Sequence, residues 1–229
     1  MAKWIRKGYN MSEIIDLSHP VEAGMITYTG LPGPKITDHL SRDASRGHYA
    51  EGTTFQIGKI EMVANTGTYI DAPFHRYADG RDLSQFDLAS VANLDGLVFQ
   101  ADSATRAITP DFFQGRDVKD KAVLVHTGWD RHWSTGQYFE DHPFLTRESA
   151  EYLKSAGAAL VGIDSLNIDD NTDGTRPVHT ILLGAEIPIV EHMCNLGSLP
   201  GKGFTFFAVP APVKGMGSFP VRAFALFEK

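Results

Sequence analysis

Apolar residues in this chain come in short runs separated by Gly, Pro and polar turns. The run Ile14-Ile15-Asp16-Leu17-Ser18 is β-branched and reads as a strand ending in turn chemistry at His19-Pro20. Gly24, Gly30, Pro32, Gly33 and Pro34 make the next stretch a loop. Residues 53–63 alternate imperfectly and predict a second strand, and residues 65–80 read as a polar loop. A strand is expected over 94–101, and a buried one over Lys121–His126, an apolar run closed by Thr127-Gly128. The clearest helix lies at 146–156. Thr146 is a natural N-cap, and Glu148 and Glu151 put negative charge where the helix dipole favours it. Ser149 stands where a capping box needs Glu or Gln, and Gly157 reads as the C-cap. Further strands are expected over 158–163, 187–190, 204–209 and 221–227, with a second short helix over 179–183. Strands outnumber helices, and no repeat or linker interrupts the chain. The pattern predicts one α+β domain over 1–229, with a mixed, barrel-like β core and a few flanking helices.

Composition narrows the function. Against 28 Asp and Glu stand 21 Lys and Arg, a net charge of −7. A nucleic-acid binder needs clustered cations, so that class is set aside. No apolar run approaches the roughly 18 residues of a membrane span. The first ten residues are basic but lack a following apolar segment, so no secretion signal is expected and the cytoplasm is the expected location. One cysteine, Cys194, allows neither an internal disulfide nor a cysteine zinc cluster, and reads as a small packing residue. The chain contains no P-loop, no Gly-x-Ser-x-Gly elbow and no His-Glu-x-x-His. Nine histidines remain as the notable excess.

Chemistry concentrates in Asn65-Thr66-Gly67-Thr68-Tyr69-Ile70-Asp71-Ala72-Pro73-Phe74-His75. Pro73 argues against a helical pairing of Asp71 with His75. A loop stiffened by Pro73 and turned by Gly67 suits a preorganised site. His179 opens an apolar stretch and Glu191 closes the apolar run 187–190. A buried carboxylate there needs an Arg, a Lys or a cation as partner. Asp71, His75, His179 and Glu191 together make the mixed nitrogen and oxygen set used by zinc and manganese.

The stretch resembles the motif His-x-Gly-Thr-His-x-Asp-x-Pro-x-His of the cyclase family of metal-dependent hydrolases, which includes bacterial kynurenine formamidase and isatin hydrolase. The likeness extends to Asp16-Leu17-Ser18, to Tyr28 and the loop after it, to residues 124–129 and 162–164, and to the segment 218–223. His179 and Glu191 keep the family spacing of 12. Two motif histidines, metal ligands in family enzymes, are here Asn65 and Tyr69. The resemblance implies a swivelling β/β/α fold, one divalent ion (Zn²⁺ or Mn²⁺) on Asp71, His75, His179 and Glu191, and a homodimer or homotetramer. Four protein ligands would close a tetrahedral zinc site, so either a fifth position or one ligand left out as an acid–base group is expected, His75 or His179 in the second case.

The function expected is hydrolysis of a small amide or lactone, arylformamidase-like and in the manner of the kynurenine pathway. His75, His179 and Tyr69 are the catalytic candidates. Tyr28, Phe74, Trp129, Asn65 and Ser218 are the substrate-binding candidates, Ser218 by resemblance. Two rivals stand beside it: a metal-free descendant that binds a small molecule, and an isomerase or dehydratase with Tyr69 as proton donor.

Overall fold

The computed structural model of the chain describes residues 12–102 and 104–228, so the basic start read for a secretion signal lies outside the described residues. Thirteen strands are found among them: β1 (Ser12–Asp16), β2 (Lys35–Leu40), β3 (Ile57–Glu61), β4 (Tyr69–Asp71), β5 (Leu94–Gln100), β6 (Ala107–Ile108), β7 (Lys121–His126), β8 (Phe144–Leu145), β9 (Leu160–Ile163), β10 (Ile189–Glu191), β11 (Lys202–Phe207), β12 (Ser218–Pro220) and β13 (Phe224–Glu228). Two α-helices accompany them, α1 (Arg147–Ser155) and α2 (Pro177–Gly184). Nine strands form one sheet curled into a half-barrel, in the order β1-β13-β11-β5-β7-β9-β10-β4-β12. The four central strands β5, β7, β9 and β10 run parallel, and the flanking pairs are antiparallel. The expected α+β class with a mixed, barrel-like sheet is the observed one. No helix among the described residues is long and apolar enough to cross a membrane.

Apolar side chains cover both faces of the sheet. On β7, Val123 and Val125 join a core with Leu153 of α1 and Leu182 of α2. Ala122 and Leu124 point the other way, to Leu17, Ile70, Val190 and Phe206. Burial on both faces is why residues 121–126 read as a continuous apolar run. Thr146 caps α1 as expected, its Oγ1 accepting from Ser149 N at 3.3 Å.

Two expectations need correction. The stretch 65–80 is not a loop throughout, because Tyr69–Asp71 forms the fully buried strand β4. Three residues between polar turns are too short to show a period. Strand β2 was not foreseen, because its polar sequence Lys-Ile-Thr-Asp-His-Leu lies exposed in a two-stranded ribbon with β3.

Candidate active site

Strand register brings the key residues together. β4 lies between β10 and β12, with Tyr69 opposite Glu191 and Asp71 opposite Ser218. Side chains two apart on a strand share a face, so Tyr69 and Asp71 point one way while Ile70 enters the core on the other. Pro73 then opens a single 3-10 turn, Pro73–His75, which folds His75 back over Asp71. The pair is thus a strand residue and a turn residue, as Pro73 implied. His179 arrives from the first turn of α2, whose start is set by Pro177. Asp169 accepts from Val178 N at 2.7 Å and from His179 N at 3.1 Å, satisfying amides that a helix start leaves open.

Hydrogen bonds fix the protons on both imidazoles. Asp169 Oδ2 lies 2.6 Å from His179 Nδ1, so Nδ1 carries a hydrogen and Nε2 is the atom turned toward Asp71 and Glu191. Nε2 faces Asp71 Oδ2 at 3.6 Å and Glu191 Oε1 at 3.7 Å. Ser218 donates its hydroxyl hydrogen to Asp71 Oδ1 and stands 2.9 Å from His75 Nδ1. One hydroxyl has one hydrogen, so His75 donates through Nδ1 and its Nε2 is free. Asp71 Oδ2 is buried and has no hydrogen-bond partner. A buried carboxylate oxygen left bare is costly unless something else occupies it.

Charge in this pocket is dense. Burial opposes the positive form of His179, yet Glu191, Asp169 and Asp71 outweigh it and raise its pKa to about 10, so without a cation here Nε2 also carries a hydrogen, which a bound ion would displace. Burial pushes the Asp71 carboxyl up, but His75, His179 and the Ser218 hydrogen bond prevail and hold it below the usual range. Glu191 is raised, first by burial, with the His179 charge opposing and Asp71 adding. Tyr69 donates to Glu191 Oε2 at 2.5 Å. Its hydroxyl is raised well above the ordinary value by burial and then by Glu191 and Asp71.

One ligand atom each from Asp71, His75 and His179 can be chosen so that all lie within 4.8 Å of one another. Asp71 Oδ2 and the two Nε2 atoms fit a divalent ion that takes the place of the His179 Nε2 proton. Glu191, expected as a fourth ligand, stands outside this group: Tyr69 holds one of its oxygens and Ile168 N the other, at 2.7 Å. Three ligands leave a position open, which removes the difficulty of a closed site. A second group, His126, Asp130 and Asp164, meets the same spacing. There the buried Asp164 is satisfied by Thr127 N, Thr127 Oγ1 and Gly128 N at 2.6–2.8 Å.

A cavity of about 320 Å³ opens over the first group. Tyr28, Asn65, Tyr69, His75, His179 and Glu191 line it, and Ser218 sits beneath, on Asp71 and His75. Phe74 and Trp129, expected at the substrate, are not among its lining residues. The Trp129 indole donates to Tyr138 O at 3.1 Å and packs against His132, and Phe74 follows Pro73 around the turn with its backbone N bonded to Arg81 O. Sequence reasoning missed Asp169, Asn167, Arg76 and Arg176. Nothing in the pattern marks Asp169, which lies ten residues before His179 and meets it only through the fold. Arg176 carried a signal, since a cation directly before a helix-opening proline is unfavourable to the dipole.

Residues 15–170 match the family model described as Putative cyclase. A kynurenine formamidase of Geobacillus thermodenitrificans (strain NG80-2) is 31% identical over 181 residues, covering 78% of this chain and 84% of that protein. One from Bacillus cytotoxicus is 26% identical, covering 93% of this chain and 96% of that protein. An isatin hydrolase crystallised with the product analogue thioisatinate superposes with a TM-score of 0.81 at 20% identity, over 95% of this chain and 93% of that one.

Proposed function

This chain belongs to the cyclase family, and from that premise we propose that it is a metal-dependent hydrolase of arylformamidase type, cleaving the C–N bond of a small aryl amide. The observation that carries this reading is the convergence of Asp71, His75 and His179 around the buried Oδ2 of Asp71, which accepts no hydrogen bond. Asp71, His75 and His179 would hold the ion, zinc or manganese by donor type. When bound, such an ion supplies a Lewis acid that polarises a carbonyl and lowers the pKa of water to about 7.

The remaining work falls to the chain. Hydrolysis adds hydroxide to the acyl carbon, breaks the C–N bond and delivers a proton to the leaving nitrogen. Glu191 lines the cavity, is not among the three grouped ligands and has a raised pKa, the properties of a group that takes a proton from water and returns it. Tyr69 holds the Glu191 carboxylate in place through its hydroxyl. Asp169 keeps His179 in the tautomer that presents Nε2, and Ser218 does the same for His75.

The test is metal content of protein purified without chelator, with hydrolysis of formanilide and N-formylkynurenine measured before and after chelation. The reading expects a bound divalent ion and turnover that chelation removes and the ion restores. Absence of both ion and turnover, with Zn²⁺ or Mn²⁺ supplied, contradicts it.

A further inference from the structure

The cavity also carries a guanidinium that the reaction described above does not use. Arg176 lines the cavity and is half-buried. All its side-chain hydrogen bonds go to neutral oxygens: Asn167 Oδ1 at 2.9 Å and Asn171 Oδ1 at 2.8 Å from Nη1, and the Tyr28 hydroxyl at 3.1 Å from Nη2. No carboxylate lies within ion-pair distance of it among the described residues. Asp173, which feels its charge, turns its carboxylate to Thr175 N and Oγ1 at 2.8 and 2.7 Å. Asp169 is spent on His179 and on the amides of α2.

A guanidinium has five donors. Three bonds leave the Nε–H and one Nη2–H unclaimed. Tyr28 accepts from Arg176, so its own hydroxyl hydrogen is free as well. The backbone of Arg176 is left-handed, with φ of 48°, a conformation that a non-glycine residue keeps only where its surroundings impose it. Position, posture and free donors together hold a cation against the cavity without supplying its counter-ion. Arg76 lines the same cavity, fixed by Thr180 Oγ1 at 3.1 Å and Thr175 O at 3.2 Å.

We infer that Arg176, with the Tyr28 hydroxyl, is the specificity-determining anion subsite of this cavity, the pair that selects a carboxylate-bearing aryl amide over a neutral one. Planar guanidinium matches planar carboxylate, and fixing one end of the molecule orients the amide toward the acidic floor. The identity of the reacting bond rests on the hydrolase reading above; the anion subsite does not.

The experiment compares 2-formamidobenzoate with formanilide, which differ by one carboxylate, in the metal-loaded wild type and in Arg176→Gln and Arg176→Lys. Binding of 2-aminobenzoate and of aniline is measured on the same proteins by calorimetry, which needs no turnover. In Arg176→Gln the ratio of kcat/KM for the two amides falls about 10- to 100-fold, through KM with kcat little moved. Affinity for 2-aminobenzoate falls by a similar factor while that for aniline does not, and Arg176→Lys lies between. Equal changes for the charged and neutral member of each pair, or no change in either, overturn the subsite. If the metal-loaded wild type cleaves neither amide nor N-formylkynurenine, the hydrolase reading fails and calorimetry alone decides the subsite. If Arg176→Gln does not fold, an unaltered preference in Arg176→Lys overturns it.

Discussion

Asp71 concentrates the chemistry, yet the residues around it decide what it can do. One of its oxygens accepts from Ser218, and the other has no donor and faces His179. His179 in turn depends on Asp169, whose carboxylate holds Nδ1–H at 2.6 Å. Asp169→Asn keeps the size and removes the charge, and sets an amide NH₂ against donors that a carboxylate accepts. It is expected to lower metal affinity or activity by about 10- to 100-fold, measured by chelator competition and by formanilide turnover. Unchanged values in both would remove Asp169 from the site. At this scale the sequence was informative about Asp71, His75, His179 and Glu191, because a carboxylate closing an apolar strand and a motif around Pro73 leave marks along the chain. Asp169 and Asn167 left none, since their partners lie on other elements. Glu191 was legible as a carboxylate needing a partner, while the Tyr69 hydroxyl that holds it comes from a register no local pattern shows.

At the scale of elements, three short pieces carry the geometry: β4, the 3-10 turn after it and the first turn of α2. β4 has only three residues, and its site face is set by register with β10 and β12. Such pairing is invisible in a local pattern, which is why the stretch read as a loop. The longer strand β7 and helix α1 were legible within a residue or so, because each has enough length to show its burial pattern or its cap. β12 also brings Gly217 against the turn, where an added Cβ would sit on the backbone of His75. Gly217→Ala therefore forces the turn away from Asp71. The expected cost is about 1–3 kcal/mol in stability, with a loss of roughly 100-fold in kcat/KM from the displaced imidazole. Denaturant unfolding and steady-state kinetics on the one variant read both, and retention of full activity would contradict the packing described.

For the whole molecule, the curled sheet buries polar groups as well as apolar ones, and stability inherits their titration. His19 stacks on Trp133 at 4.0 Å between ring centroids, and its Nε2 is buried without a partner. Burial, opposed in part by Asp130, lowers its pKa from 6.5 to about 4. Above pH 6.5 the ring is neutral in folded and unfolded chains alike, so pH has no lever through it. As pH falls from 6.5 toward 4 the unfolded chain takes up a proton that the folded chain refuses, and stability is lost over that window. His19→Gln removes this contribution. Its urea midpoint should fall less between pH 7.5 and pH 5 than that of the wild type, and parallel curves would show that His19 does not contribute. The α+β class and mixed sheet were predictable from the count and shortness of the apolar runs. The strand order was not, because it depends on crossovers that no local pattern records.

Asp71, His75 and His179 are proposed to hold one divalent ion at the floor of the cavity. An anomalous difference map from crystals grown with Mn²⁺ or Zn²⁺ tests it most directly. One strong peak is expected at Asp71 Oδ2 and the Nε2 atoms of His75 and His179, with Glu191 beside it. A map without a peak there, or with its peak at His126 and Asp164 instead, would contradict it.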